Sequence, residues 1–211
     1  MKLNKVLALA LSGVMAVSML AGCSNNSGNG DQNGEEQVPA TGIVAAVNNG
    51  QDADNDVQIN FTADTTLDSQ LTRALAAAGE DATYQEVRNS IVDMIDNSVA
   101  IERSNAKSIL NPGTGNVDKE DGTQVIGVAV RKTTDNYSEA AAENEVVDYV
   151  NDLLDNLKVD ESAGKVVGAD YAAYNYSGNV SMTQVTKLDG TTCYYAAIVI
   201  TVDCTVETVT V

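Results

Sequence analysis

The sequence predicts an α+β fold, an antiparallel or mixed β-sheet packed with three main helices in the order β-α-α-β-α-β-β-β. Three observations lead there. Apolar residues recur at helical spacing in the middle of the chain, as in Leu67, Leu71, Leu75 and again in Val146, Val150, Leu153, Leu157. The C-terminal part is instead rich in Val, Thr, Tyr and Ile with turn residues between the runs, which is strand composition. Between the helical stripes lies Val125-Ile126-Gly127-Val128-Ala129-Val130, a continuous apolar run of strand length.

The elements follow in order. Residues 57–62 alternate Val57, Ile59, Phe61 and read as a strand. Thr65 or Thr66 is placed to cap a helix carrying Leu67, Leu71 and Leu75, which Gly79 ends. Thr83-Tyr84-Gln85-Glu86 matches a capping box. The stripe Val87, Ile91, Met94, Ile95, Val99 then predicts a helix reaching about Asn105, with Pro112-Gly113 as the stop. The Gly-, Asn- and Asp-rich residues 111–123 read as a loop, and 125–131 as a central, covered strand. Asn136 or Ser138 starts a long helix that buries Val146, Val147, Val150, Leu153, Leu154 and Leu157. Residues 166–176 form one or two strands, and 180–188 with 191–203 form a hairpin about Asp189-Gly190. In the last strand Tyr194, Ala196, Ile198, Ile200 and Val202 share a face, and a shift of apolar parity to Val209 and Val211 predicts a bulge or break near Glu207.

The N-terminus has a different grammar. Lys2 and Lys5 precede a fifteen-residue apolar run, 6–20, broken only by Ser12, Gly13 and Ser18, and the run closes on Leu20-Ala21-Gly22-Cys23. This segment resembles the signal peptide and lipobox of bacterial lipoproteins. The resemblance covers residues 1–23 and implies cleavage between Gly22 and Cys23 with a diacylglyceryl group on the Cys23 thiol. It places the mature protein outside the cytoplasm, lipid-anchored to the bacterial cell membrane through Cys23. The run is shorter than the ~20 residues that span a bilayer and lacks a basic stop-transfer cluster. Residues 24–41 are Ser, Asn, Gly, Asp, Gln and Glu with little to bury, and read as a disordered linker. Such a linker has a mean reach of about 23 Å. Residues 42–211 are expected to fold as a single acidic domain.

Composition excludes several functions. Removing residues 1–22 takes away two lysines and no acid, so 10 basic residues face 30 acidic ones, a net charge of −20 against −18 for the whole chain. That surface repels phosphate backbones, so no nucleic-acid partner is expected, whereas a cation, glycan or basic protein partner remains open. The chain has no His, which removes Ser-His-Asp and Cys-His catalysis and the commonest zinc ligand. It has no Trp and a single Phe, Phe61. Cys193 and Cys204 remain once Cys23 is lipidated. On one straight strand they lie about 36 Å apart on opposite faces, too far for a mutual disulfide.

Few constellations carry chemistry. Asp52, Asp54 and Asp56 form D-x-D-x-D, whose alternate carboxylates are candidate Ca²⁺ ligands. An EF-hand loop would need Gly at 57 and Glu at 63, where Val57 and Ala63 stand, so a solvated lead-in to the first strand is the favoured reading. Asn116, Asp118, Glu120 and Asp121 make a second acidic loop of the same kind. The long helix carries Glu139, Glu143, Asp148, Asp152 and Asp155, a wet face with like charges four apart. Ser104-Asn105-Ala106-Lys107 fits S-x-x-K, but the motif recurs at 162–165 and no K-T-G accompanies it. Tyr171, Tyr174, Tyr176, Tyr194 and Tyr195 fall in the C-terminal strands, as sheet packing or as a platform for glycan.

Val92-Asp93-Met94-Ile95-Asp96-Asn97-Ser98, then Ile109-Leu110-Asn111-Pro112, then Ile126-Gly127-Val128, resembles the late helix, turn and strand of CAP/SCP-type secreted domains. That resemblance implies a helix–sheet–helix sandwich. The cleft His residues of the family have no counterpart, so no site residue carries over.

The expectation is a tethered extracytoplasmic lipoprotein with a non-catalytic binding or accessory role, no catalytic residue assigned and no cofactor. The alternatives are a carboxylate-dependent cell-wall glycan hydrolase, a degenerate CAP/SCP-like domain and a Ca²⁺-stabilised module.

Overall fold

The computed structural model describes residues 42–79, 81–95, 100–102, 122, 124–155, 157, 159–162 and 170–208. The signal-like segment, Cys23, the linker, the acidic residues 116–121 and the S-x-x-K at 104–107 lie outside them. The described chain is an α+β fold. Its order is α1 (Ile43–Asn49), β1 (Phe61–Thr62), α2 (Thr65–Ala78), α3 (Tyr84–Met94), β2 (Ala100–Glu102), β3 (Gln124–Lys132), α4 (Glu139–Leu154), β4 (Asp160–Ser162), β5 (Asp170–Thr186) and β6 (Thr192–Thr208). One mixed sheet runs β1-β5-β6-β3-β2, with β4 also on β5. The pairs β1–β5 and β2–β3 are parallel, the others antiparallel.

The sheet is covered on both faces. Under α2 and α3, Leu67, Leu71, Val87 and Ile91 pack on Val128, Val130, Cys193 and Tyr195. Under α1 and α4, Val47, Val146, Val150 and Leu153 pack on Ala129, Ala196, Ile198 and Ile200. Alternate residues of a strand face opposite ways. The even residues of β6 therefore fill one core and the odd residues the other. Cys193 and Cys204 sit in different cores, both free and buried, as their parity requires.

Local signals explain α2 and α3. Asp64, not Thr65 or Thr66, is the N-cap of α2, its Oδ1 accepting from the Thr66 N–H at 2.7 Å. Gly79, at φ 84, closes the helix in a conformation that costs a side-chain-bearing residue. The capping box of α3 is complete: Thr83 Oγ1 accepts from the Glu86 N–H at 3.2 Å, and Glu86 Oε2 accepts from the Thr83 N–H at 2.8 Å. The helix ends at Met94 rather than near Asn105, because Ile95 turns extended and 100–102 join β3 as a strand. Asp96-Asn97-Ser98 are poor helix formers, and propensity of this kind outweighs a stripe that continues by only one residue.

Three further differences have physical causes. The short α1 precedes the expected first strand; its N-cap Gly42 makes no side-chain cap. β5 is one strand where two or three were expected across 166–188, since Gly178 does not break it. A Cβ on Gly178 would lie 2.5 Å from the Phe61 ring, so the glycine admits Phe61 across the sheet. The β5–β6 register runs unbroken from Thr186↔Thr192 to Asp170↔Thr208, with no bulge as far as Thr208, while Val209 and Val211 lie outside the described residues. The hairpin turn is at Asp189-Gly190 as expected, with Gly190 at φ 84 and Asp189 Oδ1 accepting from the Thr191 N–H at 2.8 Å.

Candidate functional site

Amide side chains build the least regular part of the domain. Asn48 of α1 donates to the Phe61 carbonyl at 2.9 Å and accepts from the Phe61 N–H at 2.8 Å. Gln51 does the same for Ile59, at 2.7 and 2.9 Å. Each amide stands in for a neighbouring strand, so the side of 59–61 turned away from β5 is closed. Asn151 of α4 holds the preceding turn, donating to the Gly50 carbonyl at 2.9 Å and accepting from the Asp52 N–H at 3.0 Å. No sequence signal marks these amides, because nothing local distinguishes a clamping Asn from a solvated one.

Asp52, Asp54 and Asp56 lie in this clamped turn between α1 and β1, all three exposed. The Asp52 carbonyl accepts from the Gln58 side-chain amide at 2.7 Å and from the Asn55 N–H at 3.2 Å, and these bonds hold the turn. Among the described residues no three acidic or Cys side chains gather as a metal site.

On the other layer an open groove runs between α2 and α3, lined by Arg73, Glu86, Asn89, Ser90, Asp93 and Met94 among others. Glu86 is committed to the capping box: the Thr83 N–H and hydroxyl hold its carboxyl below the usual range. A general acid needs the opposite shift. Glu86 and Asp93 are two helical turns apart, a rise of about 10.5 Å along α3, wider than the spacing of paired glycosidase carboxylates.

The acidic face of α4 splits. Glu139, Asp148, Asp152 and Asp155 are exposed, whereas Glu143 is half-buried, and burial together with Glu139 raises its carboxyl. Glu145 points to the sheet. Arg131 Nε and Nη2 donate to its Oε1 at 3.0 and 2.6 Å, and the Thr134 N–H donates to its Oε2 at 3.0 Å. Burial alone would raise Glu145, but these donors outweigh it and hold its carboxyl low. The Arg131 guanidinium also lies over the Tyr149 ring at 5.6 Å, fixing α4 on β3.

No family model, curated protein or solved structure matches this chain. Tyr174, Tyr194 and Tyr195 are buried, which removes them from any exposed platform. Tyr195 lies on the α2–α3 side and donates to the Ala82 carbonyl at 2.6 Å, while Tyr174 packs in the other core. Burial raises the Tyr195 and Tyr194 hydroxyls, with Glu139 and Glu143 adding to the latter. Of the CAP/SCP-like stretch, residues 92–95 close α3 and 126–128 lie in β3, while Ile109 to Pro112 fall outside the described residues. No described helix is long and apolar enough to cross a membrane.

Proposed function

We propose that this chain is an extracytoplasmic bacterial lipoprotein, anchored by lipid on Cys23, whose domain is a non-catalytic binding or accessory module. Leu20-Ala21-Gly22-Cys23 at the end of the apolar run carries the reading. More than one acyl chain is needed for stable anchoring, which lipobox processing would supply. The non-catalytic part is supported by the lack of His and by the commitment of Glu86 to a helix cap and of Glu145 to Arg131.

Expression of the full chain in a bacterium fed labelled fatty acid tests the anchor. The wild type should take up label and sediment with membranes, and Cys23→Ala should lose both. A labelled Cys23→Ala variant, or an unlabelled wild type, would refute it. For the second part, cell-wall glycan turnover abolished by Asp93→Asn would show an enzyme instead.

A further inference from the structure

The two ends of the domain differ in what they expose. At the β5–β6 turn, two loops are stitched into one tip. Asn136, between β3 and α4, donates its N–H to the Thr192 carbonyl at 2.6 Å, and its Oδ1 accepts from the Thr192 N–H at 3.2 Å. Lys187 Nζ lies 2.9 Å from Asp135 Oδ2, and Asp189 Oδ1 accepts from the Thr191 N–H at 2.8 Å. On this braced tip Leu188 is 94% exposed, and Tyr137 of the neighbouring loop is 40% exposed. The other large apolar side chains exposed among the described residues, Tyr84 and Val159, lie at the start of α3 and before β4.

The chain enters the domain on the side of this tip. α4 starts at Glu139, just after the loop of Tyr137. Gly42, the first described residue, lies one helical turn further on, where a Cβ would be 3.9 Å from Glu143 Oε1. α1 then runs along α4 away from the tip, since Asn151 holds Gly50 at its end. The far end is acidic. Asn151 also holds the turn of Asp52, Asp54 and Asp56, and Asp152 and Asp155 follow at the end of α4, all five exposed. The 16 residues of α4 set that end about 24 Å from the tip. At the tip Lys132 and Lys187 accompany Asp135, Asp189, Glu139 and Glu143, whereas residues 51–57 and 148–155 contain no Lys or Arg.

We propose that the tip formed by residues 135–138 and 187–191 is the membrane-facing end of the domain, with Leu188 and Tyr137 resting in the lipid interface. The inference rests on the lipid anchor at Cys23. Three observations select lipid as the occupant. The tethered end of the domain is the end that exposes Leu188. Leucine and tyrosine side chains gain by leaving water at head-group level. A surface bearing anionic head groups repels the acidic end and so turns it outward. The anchor supplies what so small an apolar patch lacks. A tether over residues 24–41, with a mean reach of about 23 Å, holds the tip beside the bilayer at high effective concentration. A contact too weak to recruit a soluble protein is then occupied. The turn of Asp52, Asp54 and Asp56 faces away from the membrane in this orientation.

Fluorescence quenching by nitroxide-labelled lipid head groups reads the orientation. The full chain, purified in detergent from the bacterium that expresses it, is placed in vesicles of phosphatidylethanolamine and phosphatidylglycerol carrying such lipid. Cys193 and Cys204 are 0% and 1% exposed, so a fluorophore attaches at one added cysteine. A label on Thr186→Cys, beside the tip, should be quenched, and a label on Asp54→Cys, at the acidic end, should not. Adding Leu188→Ser to Thr186→Cys should weaken the contact about tenfold, the effect of returning one leucine side chain to water. Quenching should then fall toward the level of Asp54→Cys. Leu188 is exposed, so the substitution leaves both cores intact. A chain that floats with the vesicles but is quenched equally at 186 and 54 would overturn the orientation and leave the anchor standing. So would quenching at 186 that Leu188→Ser does not change. A chain that fails to float with the vesicles would overturn the anchor and this contact with it.

Discussion

The two helical layers of the sandwich are held by different means. α2 and α3 carry their instructions in their own sequence: an Asp cap, a capping box, a closing glycine and apolar residues at helical spacing. α1 has neither an Asp cap nor a capping box. It is seven residues long with an uncapped start, and its place depends on Asn48 and Gln51 gripping the backbone of Phe61 and Ile59. A short helix without caps is marginal in water, so α1 is stable only with its layer assembled. One layer is written locally and docks as a unit, and the other exists only as contacts between segments far apart in the chain.

Mutations can break this contrast, and the largest effect should fall on Phe61. Phe61→Ala removes a ring that is 1% exposed and joins α1, the entry strand and β5. A loss of about 3–5 kcal/mol is expected by urea denaturation, comparable to the ~2–5 kcal/mol for Leu71→Ala in the other layer. The two should differ in reach. Hydrogen exchange should rise across all of α1 in Phe61→Ala, but remain near α2 and α3 in Leu71→Ala.

Gly178→Ala comes next. Its methyl would press on the Phe61 ring and on Ile59, with an expected cost of about 1–3 kcal/mol. A double-mutant cycle with Phe61→Leu should return part of that cost, and strict additivity would show that the close approach is unimportant. Asn48→Ala leaves the Phe61 N–H and C=O without their partner and should cost about 1–3 kcal/mol. Thr83→Ala, the matching change in the locally encoded layer, should cost about 1 kcal/mol. If Asn48→Ala proved milder than Thr83→Ala, the amide clamp would not be what holds α1.

The smallest effect is in pH dependence, where two carboxylates of α4 act in opposite senses. Glu145 titrates lower in the fold than in the unfolded chain, so its contribution is complete above the unfolded value and is lost as pH falls through the folded one. Glu143 titrates higher in the fold, so stability declines as pH rises from the ordinary Glu value through the raised one. Glu143→Gln should remove that decline, and Glu145→Gln should remove the acid-side loss. Denaturation midpoints followed from acid to neutral pH separate the two.

The same contrast explains what could be read from sequence. The helical stripes, the capping box and the Asp189-Gly190 turn depend on neighbours in the chain, and the structure places them where their spacing does. The opposite-face placement of Cys193 and Cys204 followed from parity alone. α1 escaped because its stabilising partners are 8 to 13 residues away and act on backbone groups. The expected break between 166–176 and 180–188 is absent because Gly178 continues the strand to admit the Phe61 ring, which comes from a distant part of the chain. Asp52, Asp54 and Asp56 gave a pattern of types without convergence, since the turn that carries them turns their side chains to solvent.

The sheet order has a consequence for the time course of folding. The β5–β6 hairpin follows every other described element in the chain, yet it occupies the middle of the sheet, with β1 on one flank and β3 on the other. Until the hairpin is made, the apolar stripes of α1, α2 and α3 lack the β5 and β6 surface that completes both cores. Folding must wait for the C-terminal strands and then close over them from both sides. A chain cut short before residue 192 would therefore lose not an edge but the middle of the sheet, the strand that both cores share.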